Sequence, residues 1–260
     1  MTLLMYTCEE QDIVSLVDSI CEVLMDEDLQ DLYDYKWGCI TKKVQFQALP
    51  KLITKSLNEK DFLELENAEQ VLRLRKTVRD MWPSLQNETE RYDLLSWIVR
   101  KWGRIPHIND ETLMTYVALI CEARLSSSAA QKARDELYKM DRISSKSKCL
   151  AFVDPENWFV YDSRVAMALD MIIQNMPRKY DWEFILPEGR SNEAKHFDHK
   201  NPAIAGYSDY CRLIKMVAKK MEFEGVNRQC VEMKLFMLGN NLDEFKNRRR
   251  FNETAESPNK

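Results

Sequence analysis

The chain has 260 residues, of which 45% are hydrophobic and 10% aromatic, enough for a large core in one domain or in two closely joined lobes. Its seven cysteines include no C-x-x-C pair, which argues against a disulfide framework or a zinc site and favours reduced thiols in a cytosolic protein. The formal charge is −4 and no apolar run approaches the length of a membrane span, so we expect a cytoplasmic protein without membrane association.

Helical periodicity and boundary residues predict an all-α fold of about ten helices. Helices are predicted at about 10–25, 44–57, 61–81, 88–101, 207–223 and 226–239. Asn109 or Asp110 is expected to cap one further helix, and Ser128 with Gln131 matches an S-x-x-Q capping box at the start of the next. No internal repeat and no alternation typical of strands is present.

The pattern within residues 140–176 is more specific. Two short helices are predicted to meet in a tight turn at residues 142–145, and such a turn directs backbone N–H groups outward, where they could hold a phosphate. Lys146 lies at the start of the second helix. An extended apolar segment follows, and Asp162 or Ser163 is then expected to cap a long helix.

The charge distribution permits a nucleic-acid-binding surface in this middle part of the chain. Residues 1–66 contain 14 acidic and 6 basic residues, whereas residues 67–150 contain 11 acidic and 15 basic residues. A polyanion would therefore be bound locally, away from the acidic N-terminal part. Solvated helix faces show the same pattern more often than binding surfaces do.

The hairpin and the aspartate resemble the helix-hairpin-helix DNA glycosylases, particularly their 8-oxoguanine-glycosylase-like bacterial branch. In that family a hairpin L-P-G-V-G-x-K-x-A precedes an extended piece and a V-D-x-H-V motif at a helix start. Residues 140–146 (MDRISSK) occupy the hairpin, and residues 160–165 (VYDSRV) resemble the aspartate motif. The resemblance is best over residues 110–176. Arg142 and Ser144 replace the two hairpin glycines, and Arg164 stands where family members often have histidine.

The resemblance implies an enzyme that flips a damaged or modified base out of duplex DNA and cleaves its N-glycosidic bond, leaving an abasic site. Asp162 would stabilise the positive charge that develops on the sugar, and Lys146 would be the nucleophile if the enzyme also has AP-lyase activity. Either 8-oxoguanine or a modified base of phage DNA is a candidate substrate, and no cofactor or metal is expected. The candidate DNA-binding residues are Arg142, Ser144, Ser145, Lys148, Arg164 and Arg104.

Such an enzyme also needs a pocket for the flipped base. Candidate aromatic walls are Trp158, Tyr161 and Tyr207, although each is also a candidate for the hydrophobic core. His196 and His199, in the long loop at 187–206, are candidates for polar recognition of the base.

We expect residues 1–246 to form one two-lobed glycosylase-like domain, with a cleft between the lobes on which Asp162 and Lys146 converge. Residues 247–260 are expected to form a disordered tail, and the protein is expected to be a monomer. The alternative is a non-catalytic helical module that binds DNA or another protein. In that module the hairpin would be structural, Asp162 a helix cap and Lys146 a solvated lysine.

Overall fold

Helices make up most of the chain in the computed structural model, which describes residues 10–27, 46–125, 128–176, 182–184, 203–222 and 227–245. The helices are α1 (Glu10–Met25), α2 (Lys51–Thr54), α3 (Glu59–Glu64), α4 (Asn67–Met81), α5 (Glu88–Ser96), α6 (Asp110–Ala123), α7 (Ser128–Tyr138), α8 (Ile143–Val153), α9 (Ser163–Gln174), α10 (Tyr207–Lys220) and α11 (Arg228–Asn240). Two three-residue strands, β1 (Trp182–Phe184) and β2 (Ala203–Ala205), pair in parallel. The predicted helical class is therefore confirmed, with this short strand pair as an exception within the described residues.

The chain divides into two compact units. The first, which we call the hairpin unit, contains the described parts of residues 35–161 and 206–211. The second, the aspartate unit, contains the described parts of residues 1–34, 162–205 and 212–260. In the hairpin unit α4 packs against α8, and α6 packs against α5 and α7; in the aspartate unit α9 packs mainly against α11, and α1 contacts both.

Helix α9 is the central element of the aspartate unit. Every residue from Val165 to Ile173 is buried, so this helix is covered on all faces and not only along one apolar stripe. Asp162 precedes the first residue of this helix. The side chain at position 162 is therefore attached to the best-buried helix of its unit.

Two of the predicted helices are each divided in two. The prediction of one helix at 44–57 is wrong, because a 3-10 turn at Phe46–Ala48 ends before Pro50, and α2 begins after that proline. The prediction of one helix at 61–81 is also wrong, because Leu65 and Glu66 have extended backbone between α3 and α4. The Glu69 carboxylate accepts a hydrogen bond from the Glu66 backbone N–H at 3.1 Å, which fixes the new helix start.

The ends of the remaining helices follow local capping chemistry more closely. Asn109, one of two predicted caps, accepts a hydrogen bond from the Thr112 N–H at 2.8 Å. The predicted helix at 88–101 begins as expected, but its last part is a π-helix at Trp97–Trp102. The capping box predicted at Ser128 is not formed, because Ser128 is already helical and the Gln131 amide donates to Asp135 at 2.8 Å.

The predicted loop at 187–206 is corrected at its end, where residues 203–205 form β2. Residues 187–202 of that loop, including His196 and His199, lie outside the described residues, as does the predicted tail at 247–260.

Candidate functional site

The predicted hairpin is a tight connection between α7 and α8. Its central residue, Arg142, has left-handed backbone, with φ 49° and ψ 29°. The Arg142 carbonyl accepts the N–H groups of Ser145 and Lys146, both at 3.1 Å, and so begins α8. This conformation is the one that glycine adopts without steric cost, and Arg142 occupies the position of the first hairpin glycine in the resemblance. An arginine here therefore preserves the turn at some cost in backbone strain.

A chain of hydroxyl groups supports this strained residue from α6. Ser145 Oγ donates to the Arg142 carbonyl at 2.9 Å, so the phenol of Tyr116 is the donor in its 3.0 Å hydrogen bond to Ser145 Oγ. Burial raises the pKa of Tyr116 to about 12. The Arg142 guanidinium, in an exposed residue, also contacts Thr112 Oγ1 in the first turn of α6. The hydroxyl of Ser145, a predicted DNA contact, is thus engaged within the protein.

Lys146, the predicted nucleophile, is buried and points back to α7. Its Nζ donates to the carbonyls of Glu136 at 3.2 Å and Lys139 at 3.0 Å, and lies 3.4 Å from Asp141 Oδ1. Burial lowers the pKa of Lys146, and the negative charge of Asp141 opposes that shift. Lys146 Nζ therefore binds one carbonyl in the last turn of α7 and one just after it, where the helix dipole favours a positive charge.

The other predicted basic contacts differ in exposure. Lys148 is buried: its Nζ donates to the Ser144 carbonyl at 3.0 Å, and its aliphatic stem crosses Gly103, where a Cβ would come within 2.6 Å of Lys148 Cδ. Arg104 is exposed and, like Arg142, has a positive φ, at 53°. Of the basic residues predicted to bind DNA in the hairpin unit, Arg104 and Arg142 are thus the two whose side chains reach solvent.

The extended segment at residues 158–161 has its backbone groups bound by side chains. Tyr207 donates to the Phe159 carbonyl at 2.7 Å and Tyr210 donates to the Val160 carbonyl at 2.8 Å. Ser147 Oγ donates to the Tyr161 carbonyl at 3.1 Å and accepts from the Tyr161 N–H at 3.0 Å. These hydroxyls satisfy buried backbone groups in place of a neighbouring strand. The Ser147 hydroxyl was not predicted as part of the site. A serine so close to the apolar run CLAF (residues 149–152) is a sequence signal for such a role.

The predicted base-pocket aromatics are brought together in the hairpin unit. Trp158 and Tyr207 stack with ring centroids 5.9 Å apart, and Tyr161 meets Tyr207 edge to face at 6.3 Å. Tyr138 contacts both Trp158 at 4.5 Å and Tyr207 at 6.1 Å, and Tyr210 lies 4.9 Å from Tyr161. Trp158, Tyr161, Tyr207 and Tyr210 are buried. Their rings contact one another, as in a hydrophobic core, and the role of a base pocket stays a prediction.

Asp162 caps α9, as predicted. Its Oδ1 accepts the backbone N–H groups of Arg164 at 3.1 Å and Val165 at 3.3 Å. Its Oδ2 lies 3.8 Å from Nη1 of Arg164, and the Asp162 side chain is 10% exposed. The carboxylate is therefore fixed by backbone donors at the positive end of a buried helix, with an arginine beside it.

The chain matches no protein-family model, no curated protein and no solved structure. None of its described helices is long and apolar enough to span a membrane. Within the described ranges, no three His, Cys, Asp or Glu side chains are grouped as a metal site requires. The hairpin and Asp162 are therefore the features that bear on the class of protein.

Proposed function

We propose that the protein is a DNA glycosylase with a helix-hairpin-helix, which flips a damaged or modified base out of duplex DNA and hydrolyses its N-glycosidic bond. The observation that carries this proposal is the fixed carboxylate of Asp162 at the start of a buried helix, following the hairpin and the extended segment. The left-handed backbone of Arg142 supports it independently, because this is the backbone that the family's hairpin glycine would favour.

The proposed cleavage of the N-glycosidic bond requires one correctly oriented carboxylate. Cleavage of the bond to the base leaves positive charge on the sugar ring, and a carboxylate fixed near C1′ stabilises that state before water attacks. Asp162 has this role because two backbone N–H groups fix its direction before substrate binds. The exposed Arg104 and Arg142 are the proposed phosphate contacts. The two-lobed arrangement with a cleft, expected from the sequence, is part of what we propose.

We assign a monofunctional reaction, without a covalent intermediate. A nucleophilic lysine must present an uncharged amine to the sugar. Lys146 Nζ instead donates to the carbonyls of Glu136 and Lys139 and lies near Asp141, so it is engaged within the protein at the end of α7. Lys146 is therefore proposed as a structural residue that holds the hairpin to α7, and base release should leave an abasic site with an intact backbone.

The experiment is a substrate panel with two matched variants. Duplexes that contain 8-oxoguanine, hydroxymethylated or glycosylated pyrimidines, or only ordinary bases are incubated with the protein, and strand cleavage is measured with and without alkali. Asp162→Asn removes the charge but keeps a good helix cap, whereas Asn109→Ala removes a cap from α6 and no charge. We expect base release to fall about 100-fold or more in Asp162→Asn and to persist in Asn109→Ala.

Two results would contradict the proposal in different ways. A covalent adduct trapped with borohydride, and lost in Lys146→Met, would show that the enzyme is bifunctional. Failure to release any base from the whole panel would favour the second candidate function, a non-catalytic DNA-binding or protein-interaction module. That candidate rests on a specific observation: the hydrogen bonds from Arg164 and Val165 to Asp162 are those of an ordinary helix cap.

A further inference from the structure

Arg164 is held in place at three points in the aspartate unit. Its guanidinium carbon lies 5.1 Å from the ring centroid of Phe236, a distance typical of a cation–π contact. Its Nη1 lies 3.8 Å from Asp162 Oδ2, and its backbone N–H donates to Asp162 Oδ1 at 3.1 Å. The Arg164 side chain is 38% exposed and the Asp162 side chain 10%, so the arginine is the more solvent-exposed of the two.

Gly239 explains why Phe236 reaches this position. A Cβ built on Gly239 would lie 1.9 Å from the carbonyl oxygen of Arg164 and 2.5 Å from its carbonyl carbon. A glycine therefore allows α11 to approach the backbone of the first turn of α9. Phe236 is three residues before Gly239 and so lies on the same side of α11, which brings its ring to the arginine.

The sequence left two roles open for Arg164, a phosphate contact or a salt bridge. A phosphate bound by this guanidinium would lie near the Asp162 carboxylate, which has the same sign of charge and would repel it. The 3.8 Å separation is too long for a direct hydrogen bond, so the arginine acts on the carboxylate through its charge. It thereby attracts the Asp162 carboxylate without forming a bidentate bridge to it.

We propose that Arg164, braced by the Phe236 ring, is a positioning residue for Asp162 and not a phosphate ligand. The inference rests on the proposed glycosylase function and adds a determinant of its chemical step. Arg164 keeps the carboxylate directed, and Phe236 keeps the guanidinium over α11 when DNA occupies the site. Loss of either side chain should therefore slow base release more than it weakens DNA binding.

The test separates the rate of base release from DNA affinity. Arg164→Gln, Arg164→Lys and Phe236→Leu are compared with Arg212→Gln, which removes an exposed arginine from α10 in the same unit. Single-turnover rates at saturating DNA, and dissociation constants over a range of salt concentrations, are measured on a duplex from which wild type releases a base.

For Arg164→Gln we expect a rate about 10- to 100-fold lower, with the dissociation constant and its salt dependence unchanged. Phe236→Leu should show a smaller loss of the same kind. Arg164→Lys, which keeps the charge and can rest on the ring, should recover most of the rate. Arg212→Gln should behave as wild type.

A phosphate contact would give the opposite pattern. Arg164→Gln would keep the wild-type rate at saturating DNA, and its dissociation constant would rise. The slope of log affinity against log salt concentration would decrease by about the contribution of one phosphate contact. That result would overturn the inference while leaving the proposed function intact. A wild-type protein that releases no base from any duplex would overturn the proposed function and this inference together.

A second arm requires no substrate. Arg164→Gln should raise the unfolding equilibrium constant about threefold when Asp162 is present, and less than twofold in an Asp162→Asn background, as a double-mutant cycle in urea would show. Equal effects in both backgrounds would mean that the two side chains do not interact, and would overturn the inference whatever the activity.

Discussion

Replacement of Gly239 by alanine tests the helix contact that the aspartate unit depends on. The added Cβ would lie 1.9 Å from the Arg164 carbonyl oxygen, whereas real Cβ contacts stay above 3.0 Å, so α9 and α11 would have to separate by about 1.1 Å. The obstructing atoms are backbone and cannot rotate away. We expect the overlap to cost about 3 kcal/mol, near the upper end for overpacked cores. The higher helix propensity of alanine offsets about 1 kcal/mol of this.

The net expectation for Gly239→Ala is a loss of about 2 kcal/mol, or about 4–8 °C in melting temperature. Thermal and urea unfolding followed by circular dichroism measure it. Gly206→Ala is the matched control, because a Cβ there meets its nearest heavy atoms at 3.5 and 3.8 Å, an ordinary contact distance. That variant should stay within about 1 kcal/mol of wild type. If Gly239→Ala is as stable as wild type or more so, the close packing of α11 on Arg164 is refuted.

Three other variants test the hairpin unit. Ser147→Ala leaves both the N–H and the carbonyl of Tyr161 without their hydroxyl partner. Urea unfolding should show that the free energy of unfolding falls by about 2–4 kcal/mol, and a change below about 1 kcal/mol would contradict the contact. Lys146→Met removes the donor to the carbonyls of Glu136 and Lys139 and should cost about 1–3 kcal/mol in the same assay, while base release at permissive temperature continues. A variant that is stable but inactive would instead indicate that Lys146 takes part in catalysis. The pKa of Tyr116 is raised from 10.0 to about 12, so between these values the folded protein keeps a proton that the unfolded chain loses. The contribution of the protonated phenol to stability is therefore complete below pH 10 and decreases from there towards pH 12. Urea midpoints measured against pH should fall less steeply in Tyr116→Phe, and identical slopes would contradict the burial of this phenol.

The parts of the structure that depend on neighbours in sequence were the predictable ones. The bounds of α1 agree with the sequence pattern, because a single amphipathic stripe defines them. Asn109 and Asp162 cap the helices where capping chemistry placed them, since each bonds to N–H groups two or three residues away. The breaks at Pro50 and at residues 65–66 were missed because the apolar periodicity continues across them.

The contacts that define the candidate site are not local, and the sequence did not indicate them. Tyr207 and Phe159 are 48 residues apart, and no periodicity relates a phenol to one particular carbonyl at that distance. The direction of Lys146 depends on where α7 ends, and therefore on the hairpin turn. Arg142 has a left-handed conformation that its residue type disfavours, so the sequence did not predict this conformation.

The proposed function depends most directly on the charge of Asp162. The decisive measurement compares the base-release rate and the free energy of unfolding of Asp162→Asn with those of wild type, on a duplex from which wild type releases a base. We predict a rate at least about 100-fold lower with stability within about 1 kcal/mol, because asparagine caps a helix nearly as well as aspartate but carries no charge. An Asp162→Asn protein that released the base at the wild-type rate would show that the carboxylate only caps α9, and would contradict the proposed function.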